Sequence, residues 1–139
     1  MQIRPFELAD ESAVIALWER CGLTCPWNDP KKDISRKLHV QSNLFLVGLV
    51  ERELIATVMA GYEGHRAWIN YLAVASKYQR KGFGQAMIAE VERLLCEAGC
   101  PKINLQVRST NSRVIEFYQR LGYTVDDVIS LGKRLEYDE

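Results

Sequence analysis

Three apolar segments that follow one another closely place the strongest limit on how this chain can fold. They span residues 44–50, 54–62 and 68–74, and turns of only a few polar residues join them. Connections this short join antiparallel neighbours in a sheet, because parallel neighbours need a much longer crossover. The three segments therefore predict a meander of three antiparallel strands.

Apolar residues at helical spacing predict four helices around this meander. Asp29 followed by Pro30 predicts the start of the second helix, and the other three can end at Gly22, Gly99 and Gly122. Shorter apolar segments predict further strands over residues 2–6, 102–108, 123–129 and 131–135. The resulting order, β-α-α-β-β-β-α-β-α-β-β, predicts a single α/β domain with a mixed sheet over residues 1–139.

The charge balance and the length of the apolar runs argue against two classes of partner, nucleic acids and membranes. Lys and Arg together number 18, and so do Asp and Glu, so the chain lacks the basic excess that neutralises nucleic-acid phosphates. Its longest apolar run, residues 44–50, is too short to span a bilayer, and no basic and apolar leader opens the chain. We expect a cytoplasmic protein that binds neither nucleic acid nor a membrane.

The four cysteines raise the question of a disulfide or a metal site. Thiols stay reduced in the cytoplasm, so no disulfide is expected among Cys21, Cys25, Cys96 and Cys100. Both pairs have the spacing Cys-x-x-x-Cys, without the tight, Gly-rich turns that are typical of structural zinc sites. We expect small apolar packing residues and no bound metal.

The segment after the third meander strand carries the most specific pattern for chemistry. In order, it contains Gln79, Arg80, Lys81, Gly82, Phe83, Gly84 and Gln85. Glycines at the start of a helix let a ligand approach unpaired backbone N–H groups, where the helix dipole favours an anion. The pattern fits a phosphate cradle, and equally a tight turn with solvated basic residues. No Gly-Lys-Ser/Thr follows, which excludes a P-loop, and the position after a meander argues against a Rossmann loop.

Two segments, in this order, resemble the signatures of the GNAT (Gcn5-related) N-acetyltransferase family. The first, Gln79-x-x-Gly82-x-Gly84, resembles the loop that binds the pyrophosphate of acyl-CoA in that family. The second has Asn111 before a helix that contains Tyr118, followed by Leu-Gly-Tyr. Residues 26–30, 61–66 and 131–135 are most similar to small bacterial YpeA-type members.

The resemblance implies acetyl-CoA as the cosubstrate and no metal. Two splayed parallel strands, over residues 68–74 and 102–108, would hold the pantetheine arm between them. The phosphates would rest on the backbone from Gln79 to Gln85. One backbone N–H would polarise the thioester carbonyl. The main-chain groups that bond the arm would be those of Leu72, Ala73 and Val74.

Two side chains of the second signature have implied roles, and spacing gives each an alternative. Asn111 would contact the pantetheine arm, and it also fits the N-cap of the helix that begins at Ser112. Tyr118 would lie near the sulfur as the general acid, and it also fits the apolar stripe of that helix. Trp68 and Tyr71 are expected to be packing residues.

The general base is less well defined by the sequence. Ribosomal-protein N-terminal acetyltransferases, which are similar in this stretch, commonly have a glutamate where this chain has Gln106. An amide cannot accept a proton at neutral pH. Glu63 and His65, in the turn before the third meander strand, are the remaining candidates, because a histidine there could take a proton through water. Both residues also fit a solvated turn.

The loop after the first helix is the candidate acceptor site. In the family, this region overhangs the thioester, and here it presents Trp27 and Asp29. An aromatic ring beside a carboxylate attracts a cationic amine with an apolar body. Asp29 also fits the cap of the second helix, and Trp27 fits a residue that staples that helix to the sheet.

These features predict an acetyl-CoA-dependent N-acetyltransferase that acts on a small-molecule or peptide amine. Two other hypotheses stay open: a catalytically weak acyl-CoA-binding module with a regulatory role, and an acetyltransferase for protein N-termini. A nucleotide-binding domain has only the phosphate loop in its favour. A second copy of the chain, in a homodimer, is a further partner that the sequence leaves open.

Overall fold

The computed structural model describes residues 1–138 and contains a five-stranded sheet with helices on both faces. The strands, in both chain order and sheet order, are β1 (Gln2–Pro5), β2 (Phe45–Val50), β3 (Glu53–Tyr62), β4 (Ala67–Val74) and β5 (Ile103–Leu105). The helices are α1 (Glu11–Arg20), α2 (Pro30–Leu38), α3 (Phe83–Glu97) and α4 (Ser112–Arg120). No helix in these 138 residues has the length and apolar character needed to cross a membrane.

The sheet confirms the predicted meander and the predicted fold class. The pairs β1–β2, β2–β3 and β3–β4 are antiparallel, whereas the pair β4–β5 is parallel. The connection between the two parallel strands passes through α3, which provides the crossover that such a pair needs. The chain therefore forms one α/β domain with a mixed sheet.

The helix starts confirm the capping signals in the sequence. The Asp29 carboxylate accepts a hydrogen bond from the backbone N–H of Lys31 at 2.9 Å and so caps α2. The Asn111 side-chain oxygen accepts one from the backbone N–H of Val114 at 3.4 Å and caps α4. Left-handed glycines follow the ends of α1, α3 and α4, at Gly22, Gly99 and Gly122.

The sheet separates two apolar cores. On one face, α1 and α2 cover β2, β3 and part of β4, with Trp18 and Phe45 fully buried. On the other face, α3 and α4 pack over the sheet, with Met87 and Ile55 fully buried. Burial of apolar surface on both faces is the main driving force for this fold.

β4 and β5 stay paired over only part of β4. Their pairs begin at Ala67 with Ile103 and end at Ile69 with Leu105. Within the described residues, the remainder of β4, up to Val74, has no strand on that side. The parallel pairing therefore stops at Leu105, where β5 ends before the predicted residue 108, and the second half of β4 has an open edge on that side.

The last two predicted strands, residues 123–129 and 131–135, are not formed in the part of the chain that the structure describes. The apolar side chains of this C-terminal tail (residues 123–138) are largely exposed, among them Val125, Val128, Ile129, Leu131 and Leu135. Polar side chains hold the tail instead. Asp126 accepts hydrogen bonds from Lys102 at 3.0 Å and from Asn104 at 2.8 Å. Because side chains rather than backbone groups attach the tail to β5, no β-ladder forms there, and this prediction was wrong.

The end of the C-terminal tail is anchored to α2 by an ion pair. Asp138 accepts hydrogen bonds from Arg36 at 2.7 and 3.1 Å, and from the backbone N–H of Asp29 at 3.1 Å. These bonds, above all those from Arg36, hold the pKa of Asp138 well below its usual value. The contribution of Asp138 to the attachment of the tail is therefore complete above the unfolded pKa of about 3.9. It is lost as the pH falls from there through the lowered folded pKa.

The Asp138→Asn substitution should release the tail while the domain stays folded, because the amide lacks the charge that attracts Arg36. We expect trypsin to cleave after Lys133 or Arg134 several-fold faster at neutral pH, with little change in melting temperature. Asp127→Asn is the control, because Asp127 is exposed and its side chain forms no hydrogen bond within residues 1–138. Equal cleavage rates in the two variants would contradict the anchor.

Candidate active site

The corner between β4 and α3 leaves the backbone open at the start of α3. Gly82 directly precedes the helix with φ +85°, and Arg80 is also left-handed, at φ +61°. A Cβ at Gly82 would meet no atom within 4 Å, so the space in front of it is open. Arg80 and Lys81 are exposed beside it, and the first N–H groups of a helix have no partner within the helix. Open space, backbone donors and positive charge together suit an anionic group.

Several residues of the predicted loop have structural contacts as well. The side-chain nitrogen of Gln79 donates to the carbonyl of Val74 at 2.9 Å and closes the loop onto the end of β4. A Cβ at Gly84 would lie 3.3 Å from the ring of Phe117, so Gly84 allows α3 to approach α4. Phe83 is half-buried, whereas Gln85 is exposed at the start of α3.

The middle of β4 contains a bulge beside the point where β5 separates. Two residues of β4, Tyr71 and Leu72, oppose the single residue Val58 of β3. Tyr71 is left-handed at φ 52°. A bulge of this kind bends the strand and interrupts its ladder. Leu72, Ala73 and Val74 then form the stretch of β4 that has no β5 partner.

Tyr118 lies on α4 and is only 7% exposed. Its ring contacts the edges of Phe117 and Tyr123, so the packing role that spacing indicates is confirmed. Burial raises the pKa of its hydroxyl, which therefore stays protonated at neutral pH. Within residues 1–138, the hydroxyl forms no hydrogen bond. Its proton is free for a bound group, which is what a general acid requires.

A groove of about 1380 Å³ runs along the free side of β5 and reaches Tyr118. Trp68 of β4 lines it and is 42% exposed, so the prediction that Trp68 is a packing residue was wrong. The reason is that α1 and α2 cover the sheet only as far as the second half of β4. Tyr71 does pack, because its ring stacks on that of Trp18 with centroids 3.8 Å apart.

Glu63 and His65 lie in the turn at the opposite end of β4 from residues 79–85, which we name the phosphate corner after their predicted role. The Glu63 carboxylate accepts hydrogen bonds from the backbone N–H groups of Arg66 and His65, which lower its pKa and make it a weaker base. From Ala67, at the start of β4, the bulge is about 13 Å away at about 3.3 Å per residue. The structure therefore does not bring Glu63 and His65 together with the bulge and the phosphate corner.

The loop between α1 and α2 carries the two predicted acceptor residues, and of the two only Trp27 has a side chain without a structural role within residues 1–138. Trp27 is 51% exposed, so its ring is available to an acceptor. The Asp29 carboxylate is occupied in capping α2.

Sequence reasoning missed Asp33, whose carboxylate accepts a hydrogen bond from the Tyr71 hydroxyl at 2.6 Å. Its position one helical turn after Asp29, on the same face of α2, was the available signal.

No group of three or more His, Cys, Asp or Glu side chains within residues 1–138 is arranged to hold a metal ion. The four cysteines are free thiols. The residues described above therefore offer an open strand edge and, at Gly82, open space beside exposed basic side chains.

A family model now identifies the class of protein that this fold and site define. The model of the Acetyltransferase (GNAT) family matches residues 8–123. The matched stretch runs from just before α1 to just after α4 and includes the phosphate corner and the bulge. The chain belongs to the GNAT acetyltransferase family, and it is an acetyltransferase.

Similar proteins agree with this assignment. The acetyltransferase YE1169 of Yersinia enterocolitica is 46% identical over 139 residues, which cover 100% of this chain and 99% of that protein. The PaiA N-acetyltransferase of Thermoplasma acidophilum, solved in complex with coenzyme A, superposes with a TM-score of 0.79 at 23% identity, over 92% of both chains. The ribosomal-protein-S18-alanine N-acetyltransferase of Escherichia coli has a TM-score of 0.74 at 23% identity, over 87% of this chain and 76% of that one. The two solved structures share the fold.

Proposed function

We propose that this chain transfers the acetyl group of acetyl-CoA to an amine by direct attack, with Tyr118 as the general acid. The observation that carries the proposal is the separation of β4 from β5 after Ile69 and Leu105. The bulge lies on the β4 side of this gap, and Tyr118 packs in the core formed by the same two strands and α4. Fold similarity to a coenzyme A complex supports the choice of cosubstrate.

The chain offers three sets of groups to acetyl-CoA. Backbone N–H groups at the start of α3, with Arg80 and Lys81, would hold the phosphates in the open space at Gly82. The stretch of β4 that has no β5 partner, residues 72–74, would bond the pantetheine arm through its main chain. Asn111 would contact the same arm from the start of α4, beside its capping role. When bound, acetyl-CoA supplies the thioester that the amine attacks.

The reaction needs a neutral amine, a donor for the oxyanion and a proton for the leaving thiolate. The amine nitrogen forms a bond to the thioester carbonyl carbon, and the carbon–sulfur bond then breaks. A backbone N–H at the bulge would stabilise the negative charge on the carbonyl oxygen. Tyr118 would pass its hydroxyl proton to the departing sulfur, since burial keeps that hydroxyl protonated.

The proton that the amine loses would leave through water in the groove. The Gln106 amide cannot accept it and already contacts Ser130. Glu63 already accepts two backbone N–H bonds, so Glu63 and His65 would serve only as the far end of a chain of waters. Without a strong side-chain base, the amine would become neutral because its charged form loses hydration on entering the site.

The acceptor would approach beside the loop between α1 and α2. The exposed ring of Trp27 would contact the body of the amine, and Trp68 is a second exposed indole. Asp29 would contribute only its charge, because its oxygens cap α2. The acceptor class that fits two exposed indoles is an amine with an apolar body, either a small molecule or a peptide.

The Gly82→Asp substitution should weaken the binding of acetyl-CoA by more than about tenfold, because it adds a carboxylate to the space proposed for the phosphates. Isothermal titration calorimetry measures this directly. Gly99→Asp is the matched control, because Gly99 has nearly the same φ, +80°, open space around it, and a position at the other end of α3. Equal affinities in the two variants would refute the phosphate assignment.

The Tyr118→Phe substitution should lower the turnover number on the order of 10²–10⁴-fold, because it removes the donated proton and keeps the packed ring. Mass spectrometry first identifies an acceptor, among polyamines, amino sugars and peptides with free N-termini. Affinity for coenzyme A and melting temperature should barely change.

Tyr123→Phe is the control for Tyr118→Phe, because it removes a neighbouring hydroxyl whose partner is Glu92, at 2.8 Å. It should retain most of the turnover. Unchanged turnover in Tyr118→Phe would leave Tyr118 as a core residue only, with water protonating the thiolate.

A further inference from the structure

The bulge in β4 depends on Tyr71, which has a conformation that favours glycine. Its φ of 52° lies in the left-handed region, where the Cβ of an L-residue crowds the following carbonyl oxygen. Such a conformation persists only where the surrounding contacts over-determine it. Tyr71 is held at three places: its carbonyl, its ring and its hydroxyl.

The carbonyl of Tyr71 is held by a chain of two buried hydrogen bonds. The Trp18 indole N–H donates to the Thr57 hydroxyl oxygen at 2.9 Å, and that hydroxyl donates to the Tyr71 carbonyl at 2.8 Å. An indole only donates and a carbonyl only accepts, so the direction of both bonds is fixed. Trp18 and Thr57 are completely buried, so neither group has water as an alternative partner.

The side chain of Tyr71 is held from the two helices on the same face. Its ring stacks on Trp18 of α1 with centroids 3.8 Å apart and planes 12° from parallel. Its hydroxyl donates to Asp33 of α2 at 2.6 Å. Elements distant in sequence, α1, α2 and β3, therefore fix one residue of β4.

Holding this carbonyl also fixes the backbone N–H of the next residue. The Tyr71 carbonyl and the Leu72 N–H belong to one planar trans peptide group, in which the two point in opposite directions. The carbonyl points to Thr57 of β3. The Leu72 N–H therefore points away from β3, which is the side on which β5 separates.

We propose that Trp18 and Thr57 are positioning residues, which aim the Leu72 N–H at the thioester carbonyl by holding the carbonyl of Tyr71. This inference rests on the proposed function, because it requires the thioester to lie in the gap beside the bulge. Both residues are completely buried, so they act through the peptide group rather than by contact with acetyl-CoA.

The test is a comparison of acetyl-CoA with CoA by amide NMR on the full chain. Both molecules contain the amide carbonyls of the pantetheine arm, but only acetyl-CoA has the thioester carbonyl, so it should shift the Leu72 amide proton downfield by more than CoA does. Thr57→Val keeps the shape of the side chain and removes the hydroxyl, so most of this excess shift should disappear. Thr57→Ser restores a hydroxyl and should restore the excess.

Two further variants separate positioning from stability. Val14→Ala removes fully buried apolar atoms from the same core as Trp18, and it should lower the melting temperature while the excess shift remains. Trp18→Phe keeps an aromatic ring on Tyr71 without the indole N–H, and it should reduce the excess even if Thr57→Val does not fold.

The possible results distinguish this inference from the proposed function. A full excess shift in Thr57→Val or in Trp18→Phe would overturn the positioning role and leave the proposed function intact. Equal shifts from acetyl-CoA and CoA in the unmodified chain would overturn it as well. An unmodified chain that binds neither molecule would overturn the proposed function, and this inference with it.

Discussion

The separation of β4 from β5 after their third residue pair is the constraint on which the site depends. Backbone groups that lose a strand partner need another one, from water or from a ligand. The bulge at Tyr71 and Leu72 turns β4 at this point, and α3 begins close after β4 ends. An open strand edge is therefore followed by the helix start that we propose for the phosphates, an arrangement that suits a long ligand with a phosphate at one end.

The parts of the fold that could be predicted from the sequence depend on contacts between chain neighbours. Asp29 and Asn111 cap helices through backbone groups two to three residues away, so these capping patterns do not depend on tertiary contacts. The short turns of the meander fix the antiparallel order of three strands in the same way. The phosphate corner belongs to this class, because Gly82 and the start of α3 are adjacent.

The parts that could not be predicted depend on distant partners. The left-handed conformation of Tyr71 requires Trp18 and Thr57, which no local pattern connects to it. The exposure of Trp68 depends on how far α1 and α2 extend over the sheet. The tail alternates like a strand, yet the hydrogen bonds of Asp126 with Lys102 and with Asn104 of β5 decide its position. Tertiary contacts overrode the local pattern at each of these places.

Residue-resolved hydrogen exchange with and without acetyl-CoA tests the account most directly, since it reports which backbone N–H groups a ligand protects. Our account predicts slower exchange at two separate sets of amides, residues 72–74 of β4 and residues 83–85 at the start of α3. Amides in the turn that contains Glu63 should exchange at an unchanged rate. Unchanged exchange in both sets, with protection elsewhere in the domain, would contradict a ligand that extends from the phosphate corner into the gap between β4 and β5.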